Sequence, residues 1–169
     1  MPTPIGHALA GLAVAGVSRG EGRFRAGQVA FLVFCATAPD LDLALRFLDG
    51  VNHHRGPTHS LGAALIAAVA ALALRRAGVG APGPIAVGAA WASHVLLDFL
   101  GRDTTLPYGE MALWPFSEAF FISPVAVFLD IPRSFSAEAI RHNLAAAALE
   151  IAIVGPIAAL CWRRGKRDA

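Results

Sequence analysis

The sequence predicts an all-α protein: a polytopic transmembrane bundle of about five hydrophobic helices, with a metal site near the outer membrane face. Three observations predict it. Apolar residues make up 56% of the 169-residue chain, and the mean hydropathy of +0.56 is high for a soluble globule. These residues fall in blocks, and the charged residues, only 15%, cluster between the blocks. The third observation is a short loop, His53-His54-Arg55-Gly56-Pro57-Thr58-His59-Ser60, which holds three of the six histidines. Imidazoles around a turn-forming Gly-Pro are how a chain builds a ligand set or a phosphate site. The length fits a single domain over residues 1–169.

The first apolar run covers residues 5–17 and contains His7. It is short for a full span, which takes roughly 20 residues. Its Gly6, Gly11 and Gly16 predict close helix packing. A basic, Gly-rich turn follows at 18–25. The second run, 26–38, ends in Pro39-Asp40-Leu41-Asp42, and 43–48 adds a further helical turn or two. The third run, 59–74, closes on Arg75-Arg76, with Pro57 suited to its first turn. A Gly/Pro turn at 78–84 leads to the fourth run, 85–100, which carries Trp91, His94 and Asp98. The longest connection comes next and includes Tyr108-Gly109-Glu110 and Trp114-Pro115-Phe116. Its apolar piece, 120–129, is broken by Pro124 and reads as interfacial or re-entrant rather than spanning. The last run starts near Ala137, with Ser136 as N-cap and Glu138 in the first turn, and stops at Arg163-Arg164-Gly165-Lys166-Arg167.

The net charge of +2 is too small to argue for nucleic acid. Cys35 and Cys161 lie inside apolar runs without metal-binding spacing and read as small buried hydrophobes. The N-terminus lacks the basic start and cleavage site of a signal peptide and is taken as mature sequence. With five spans and the N-terminus outside, nine of the fourteen basic residues fall on the cytoplasmic side, among them Arg19, Arg23, Arg25, Arg75 and Arg76. The positive-inside rule favours that orientation, in a bacterial-type inner membrane with a cytoplasmic C-terminus.

This topology brings His7, Asp40, Asp42, His54, His59, His94 and Asp98 to one face from four segments. At 1.5 Å per helical residue they stand roughly 18–24 Å from the far ends of their runs, inside the outer half of a membrane whose core is about 30 Å thick. Ionisable groups at that depth are costly and mark function. His94 and Asp98 are i and i+4 on a helix and share a face. A bend after Pro39 can turn Asp40 and Asp42 inward, and His54 and His59 straddle the Gly-Pro turn. Mixed imidazole and carboxylate donors suit Zn²⁺, with Mn²⁺ or Fe²⁺ as alternatives. Seven donors exceed one tetrahedral site, so two divalent ions bridged by a carboxylate are expected. His53 reads as loop surface and His142 as a helix-start residue.

Pro39-Asp40-x-Asp42, His54-Arg55-Gly56-x-Thr58-His59-Ser60, His94-x-x-x-Asp98 and Trp114-Pro115-Phe116, with His7 ahead of them, resemble the LexA-binding, inner-membrane-associated metal-dependent hydrolase family. The resemblance runs to about Ser117, and beyond it only a generic final helix remains. It implies a metal site in a membrane more than it implies any substrate. The helical His-x-x-x-Asp pair is, more distantly, similar to zinc-dependent phospholipase C.

Metal-assisted hydrolysis is the leading expectation. Asp42, or a non-coordinating histidine such as His53, takes the proton from water. Arg55 stabilises developing charge on a phosphoryl or carboxyl oxygen and binds substrate. Arg102 and Trp114 form a lid or headgroup contact, although a Trp at an interface also serves as an anchor. Thr58 and Ser60 orient ligands or cap a helix. A site opening to the outer leaflet points to membrane lipids as partners and to a lipid or phosphoester substrate. Two alternatives stay open. One is a non-enzymatic divalent-metal protein, a transporter or sensor, for which the inner halves of the spans lack ionisable residues. The other is a regulatory role through a protein partner, for which the cytoplasmic turns are short.

Overall fold

The structure is a computed structural model and describes residues 2–18 and 26–167. The basic turn with Arg19, Arg23 and Arg25 lies outside the described residues. Within them the chain is helical: α1 Pro4–Val17, α2 Ala26–Thr37, a 3-10 segment Ala38–Ala44, a single turn α3 Arg46–Asp49, α4 Leu61–Arg76, α5 Pro84–Phe99 and α6 Ala137–Arg167. No strand forms among the described residues, only isolated bridges pairing Gly101 with Phe128 and Glu110 with Phe121. Helix α1 packs between α2 and α6, α4 pairs with α5, and α5 touches both α1 and α2.

Each helix starts where local chemistry satisfies its free amides. Thr3 caps α1, its Oγ1 accepting from Ile5 N at 3.2 Å, with Pro4 at the first position. Ser60 caps α4 by accepting from Ala63 N at 2.9 Å. Helix α4 therefore begins at Leu61, two residues later than the apolar pattern predicts, and Pro57 and His59 belong to the turn before it. Ser136 caps α6 as expected, accepting from Ala139 N at 3.1 Å. Pro39 has no N–H to continue the α2 ladder, and the chain tightens there into the 3-10 segment that carries Asp40 and Asp42.

The packing is inverted relative to a water-soluble bundle. The buried residues are mostly small, such as Ala15, Ala36, Ala71, Ala86 and Ala90, gathered around Leu32 and Cys35. Larger side chains, including Leu65, Ile66, Val69, Leu96, Ile151 and Leu160, point outward. Small residues at helix contacts and large apolar ones outside is the arrangement lipid favours. Gly11 meets the α2 backbone and Gly16 the α6 backbone so closely that an added Cβ would come within 2.8 Å and 2.7 Å of it. Two helical stretches are long and apolar enough to cross a membrane, Ala26–Asp49 and Ala137–Gly165, while Pro4–Val17 and Pro84–Phe99 are apolar but shorter. Residues 120–129 form no helix. They run as irregular chain tied to the end of α5, where Leu100 O accepts from Val127 N at 2.8 Å and Phe128 N at 3.2 Å.

Candidate metal centre

All seven predicted donors meet at one end of the bundle. Asp40, His59, His94 and Asp98 each offer an atom within 4.8 Å of the others', and Asp42, His54 and His59 form a second such group. In the first group, His59 Nε2 stands 3.1 Å from His94 Nε2, 3.4 Å from Asp98 Oδ2 and 3.6 Å from Asp40 Oδ1. His94 Nε2 stands 3.5 Å from Asp98 Oδ2 and 3.7 Å from Asp40 Oδ1. Four donors bound at 2.0–2.1 Å in a tetrahedron are about 3.3 Å apart, so the spacing fits a zinc-sized ion.

The protonation pattern fits as well. His94 Nδ1 lies 2.8 Å from Ala36 O, which can only accept, so the proton sits on Nδ1 and Nε2 presents a lone pair. His59 Nδ1 faces Asp42 Oδ2 at 3.1 Å and Thr58 Oγ1 at 3.1 Å. Thr58 already donates its proton to Asp42 Oδ2 at 2.6 Å, so Nδ1 is again the protonated atom. Two imidazole lone pairs and two carboxylates thus converge in a largely buried cluster. Asp40 Oδ1 and both oxygens of Asp98 have no hydrogen-bond partner among the described residues. Buried acceptors left facing one another are unfavourable unless a cation lies among them.

His7 stacks on His94 with ring centroids 3.8 Å apart, and its Nε2 is 3.3 Å from Asp98 Oδ1. It is wholly buried, and neither ring nitrogen has a hydrogen-bond partner among the described residues. His54 Nδ1 lies 2.8 Å from Asp42 Oδ1, so Asp42 binds two histidines and Thr58 at once. His53 lies outside the cluster, on Asp49 at 2.6 Å. His142 is also apart, its Nε2 donating to Asp130 O at 2.9 Å.

A cavity of about 390 Å³ opens onto this end, lined by Asp40 and His54 from the cluster and by Arg55, Arg102 and Arg133. Arg55 is buried behind the cavity surface it helps to line. Its guanidinium is buried on Asp103 and donates to Thr105 Oγ1 at 2.7 Å and to the carbonyls of Pro107 and Gly109 at 3.2 and 3.4 Å. Its backbone has φ +66°, a left-handed conformation costly for a side chain of this size and typical of residues held in place for function. Arg102 lies at the cavity. Trp114 does not: it lines a separate groove with Pro57, Thr58 and Trp91. Leu61 N donates to Ala112 O at 3.0 Å, and Gly62, lacking a Cβ, lets the Trp114 carbonyl sit on the start of α4.

Two buried carboxylates escaped the sequence reading. Glu150, wholly buried in α6, accepts from Thr3 N at 2.8 Å, Gly6 N at 3.1 Å and Thr3 Oγ1, and so holds the start of α1 one residue ahead of His7. A lone acid in the apolar interior of the last run was the available signal. Glu110 is 1% exposed, and neither carboxylate oxygen has a hydrogen-bond partner among the described residues. It lines a small cavity with Asp98, Arg55 and Asp103. Burial first, and the nearby Asp98 charge second, push its carboxyl up to about 9. Nothing in its turn-rich stretch marks it.

No curated protein and no solved structure matches the chain. The pattern of the YdjM inner membrane protein family matches residues 1–166, and it takes in every donor described above. The chain therefore belongs to the YdjM inner membrane protein family.

Proposed function

We propose that this chain is a membrane-embedded, metal-dependent hydrolase acting on a phosphoester of a lipid-type substrate. One observation carries the reading: His59 Nε2, His94 Nε2, Asp98 and Asp40 converge at tetrahedral spacing, and Asp40 reaches the wall of a cavity that three arginines also line. Asp40 is the partly exposed member, at 21% of its side chain, so the set opens through it. Bound there, a divalent ion, zinc or alternatively manganese or iron, supplies a water of pKa near 7 and polarises a phosphoryl oxygen.

The chain's own residues divide the remaining work. Neutral His59 has one lone pair, which it points at the first group, so the two groups cannot each hold an ion through it. One ion per chain is therefore proposed, where donor number alone had argued for two. Asp42 then acts as an orienting carboxylate, fixing the tautomers of His59 and His54. His54 lines the cavity with Nδ1 held by Asp42, which makes its ring the proton acceptor and Asp42 its positioning partner. Arg55 fixes the connection on Asp103 and so shapes the cavity wall. Five crossings, with the donor cluster on the extracytoplasmic side, are the topology proposed from the charge pattern.

Metal analysis of purified protein together with a phosphoester and lipid hydrolysis screen tests this. One tightly held ion and metal-dependent turnover are expected. A folded preparation without metal overturns the reading. Bound metal without turnover on any substrate leaves a metal-binding membrane protein and removes the enzyme.

A further inference from the structure

The 390 Å³ cavity is lined by three acids and three arginines besides the donors' imidazole, and their commitments differ. Asp40 belongs to the four-donor set. Asp103 holds Arg55 and also accepts from Gly109 N at 2.6 Å and Thr105 N at 3.1 Å. Asp130 accepts from Thr104 Oγ1 at 3.1 Å and faces His142 Nε2 at 3.3 Å. Asp103 and Asp130 therefore have their partners inside the protein, and Asp40 faces the other donors. Arg55 is equally committed. Arg133 is not: it is exposed and has no ion pair or hydrogen bond among the described residues.

The backbone that presents Arg133 is nevertheless fixed. His142 donates to Asp130 O at 2.9 Å and Asn143 Nδ2 to Pro132 O at 3.1 Å, which tacks residues 130–132 onto the first turns of α6. The backbone of Arg102, which lines the same cavity, is held by its own amide, which donates to Phe128 O at 2.8 Å. An uncommitted guanidinium on an anchored wall, in the cavity that Asp40 of the donor set also lines, suits an anion held between them. A planar fork of donors is matched to phosphate oxygens.

Resting on the hydrolase reading above, we infer that Arg133, with Arg102 lining the same cavity, is the binding site for the substrate's phosphoryl group. The substrate class is then a phosphorylated headgroup. A cavity of this volume takes a small group, and the arginines on its wall suit the phosphorylated end of the substrate.

The test uses the full-length, zinc-loaded protein in detergent, with inorganic phosphate and short-chain dihexanoyl phosphatidic acid as probes in titration calorimetry. Arg133→Ala should weaken both roughly tenfold to a hundredfold, and Arg133→Lys should recover part of the loss. Zinc content and thermal stability should stay at the wild-type level, since Arg133 holds nothing else in place. A tighter grip on the lipid than on phosphate identifies a lipid headgroup as the source, and equal grips identify a free phosphate. Unchanged binding in Arg133→Ala overturns the inference, as does zinc-loaded wild-type protein that binds neither probe. Wild-type protein that takes up no zinc overturns the hydrolase reading itself, which keeps the two failures apart.

Discussion

The Nε2 atoms of His59 and His94 face each other across 3.1 Å, and in neutral rings the hydrogen bonds on their far sides leave both as lone pairs. Two lone pairs at that distance repel unless a cation joins them. The first prediction follows from this pair. A chelator should lower the melting temperature of the wild-type protein, because an ion at a thousandfold its Kd contributes about 4 kcal/mol. His94→Ala and His59→Ala should lose the ion and show no response to the chelator. An equal chelator effect in wild type and both variants would mean that the ion binds elsewhere.

Asp42 and His54 separate binding from proton transfer. His54→Ala and Asp42→Asn should keep the ion, since Asp40, His59, His94 and Asp98 remain, yet lose about 10²–10⁴-fold in turnover. His53→Ala should change little, because His53 is tied to Asp49 at the surface and lies outside the cluster. Metal content and hydrolysis rate measured on the same preparations check this. Loss of the ion in His54→Ala would move His54 from proton acceptor to ligand.

Glu150 and His7 are linked through the start of α1. Glu150→Ala leaves two amides and one hydroxyl of Thr3 and Gly6 without their acceptor, at about 1–3 kcal/mol for each buried group. Gly6→Ala attacks the same clamp from the other side, since its Cβ would come 2.6 Å from Glu150 Oε2. Both should weaken cobalt binding and alter its visible spectrum by displacing His7 from Asp98. The double variant Glu150→Ala/His7→Ala should bind cobalt no worse than the weaker single variant, the sign of residues acting through one another. Additive losses would reduce Glu150 to a general stabiliser of the fold.

The clustering of His7, Asp40, Asp42, His54, His59, His94 and Asp98 was legible because membrane segments place ionisable residues sparsely, and these seven fell at one end of the runs. Helix extents were legible for the same reason, apart from α4, whose start depends on the Ser60 cap rather than on hydropathy. The roles were less legible. Whether Asp42 binds an ion or orients histidines depends on which ring nitrogen faces which oxygen, and spacing carries no such information. The Arg55 partner Asp103 was not legible, because it lies 48 residues away in a connection without periodicity. Trp114 was misplaced for a related reason: the absence of a side chain at Gly62 decides where that turn rests.

Glu110 gives a prediction about stability against pH. Its carboxyl, ordinarily near 4.5, is pushed up to about 9 by burial and by Asp98, so the folded protein keeps a proton that the unfolded chain releases. Between those values the unfolded state binds fewer protons than the folded one, and stability must fall as pH rises, by about 1.4 kcal/mol per unit at most. Glu110→Gln holds an uncharged group there at every pH and should remove that slope, with the gap over wild type widening towards alkaline pH. Chelator-treated protein is the right sample, because a cation beside Asp98 would draw the proton off Glu110. Denaturation midpoints of both proteins at several pH values inside the window decide the matter. Parallel curves would show that Glu110 is already ionised and partnered in the folded protein.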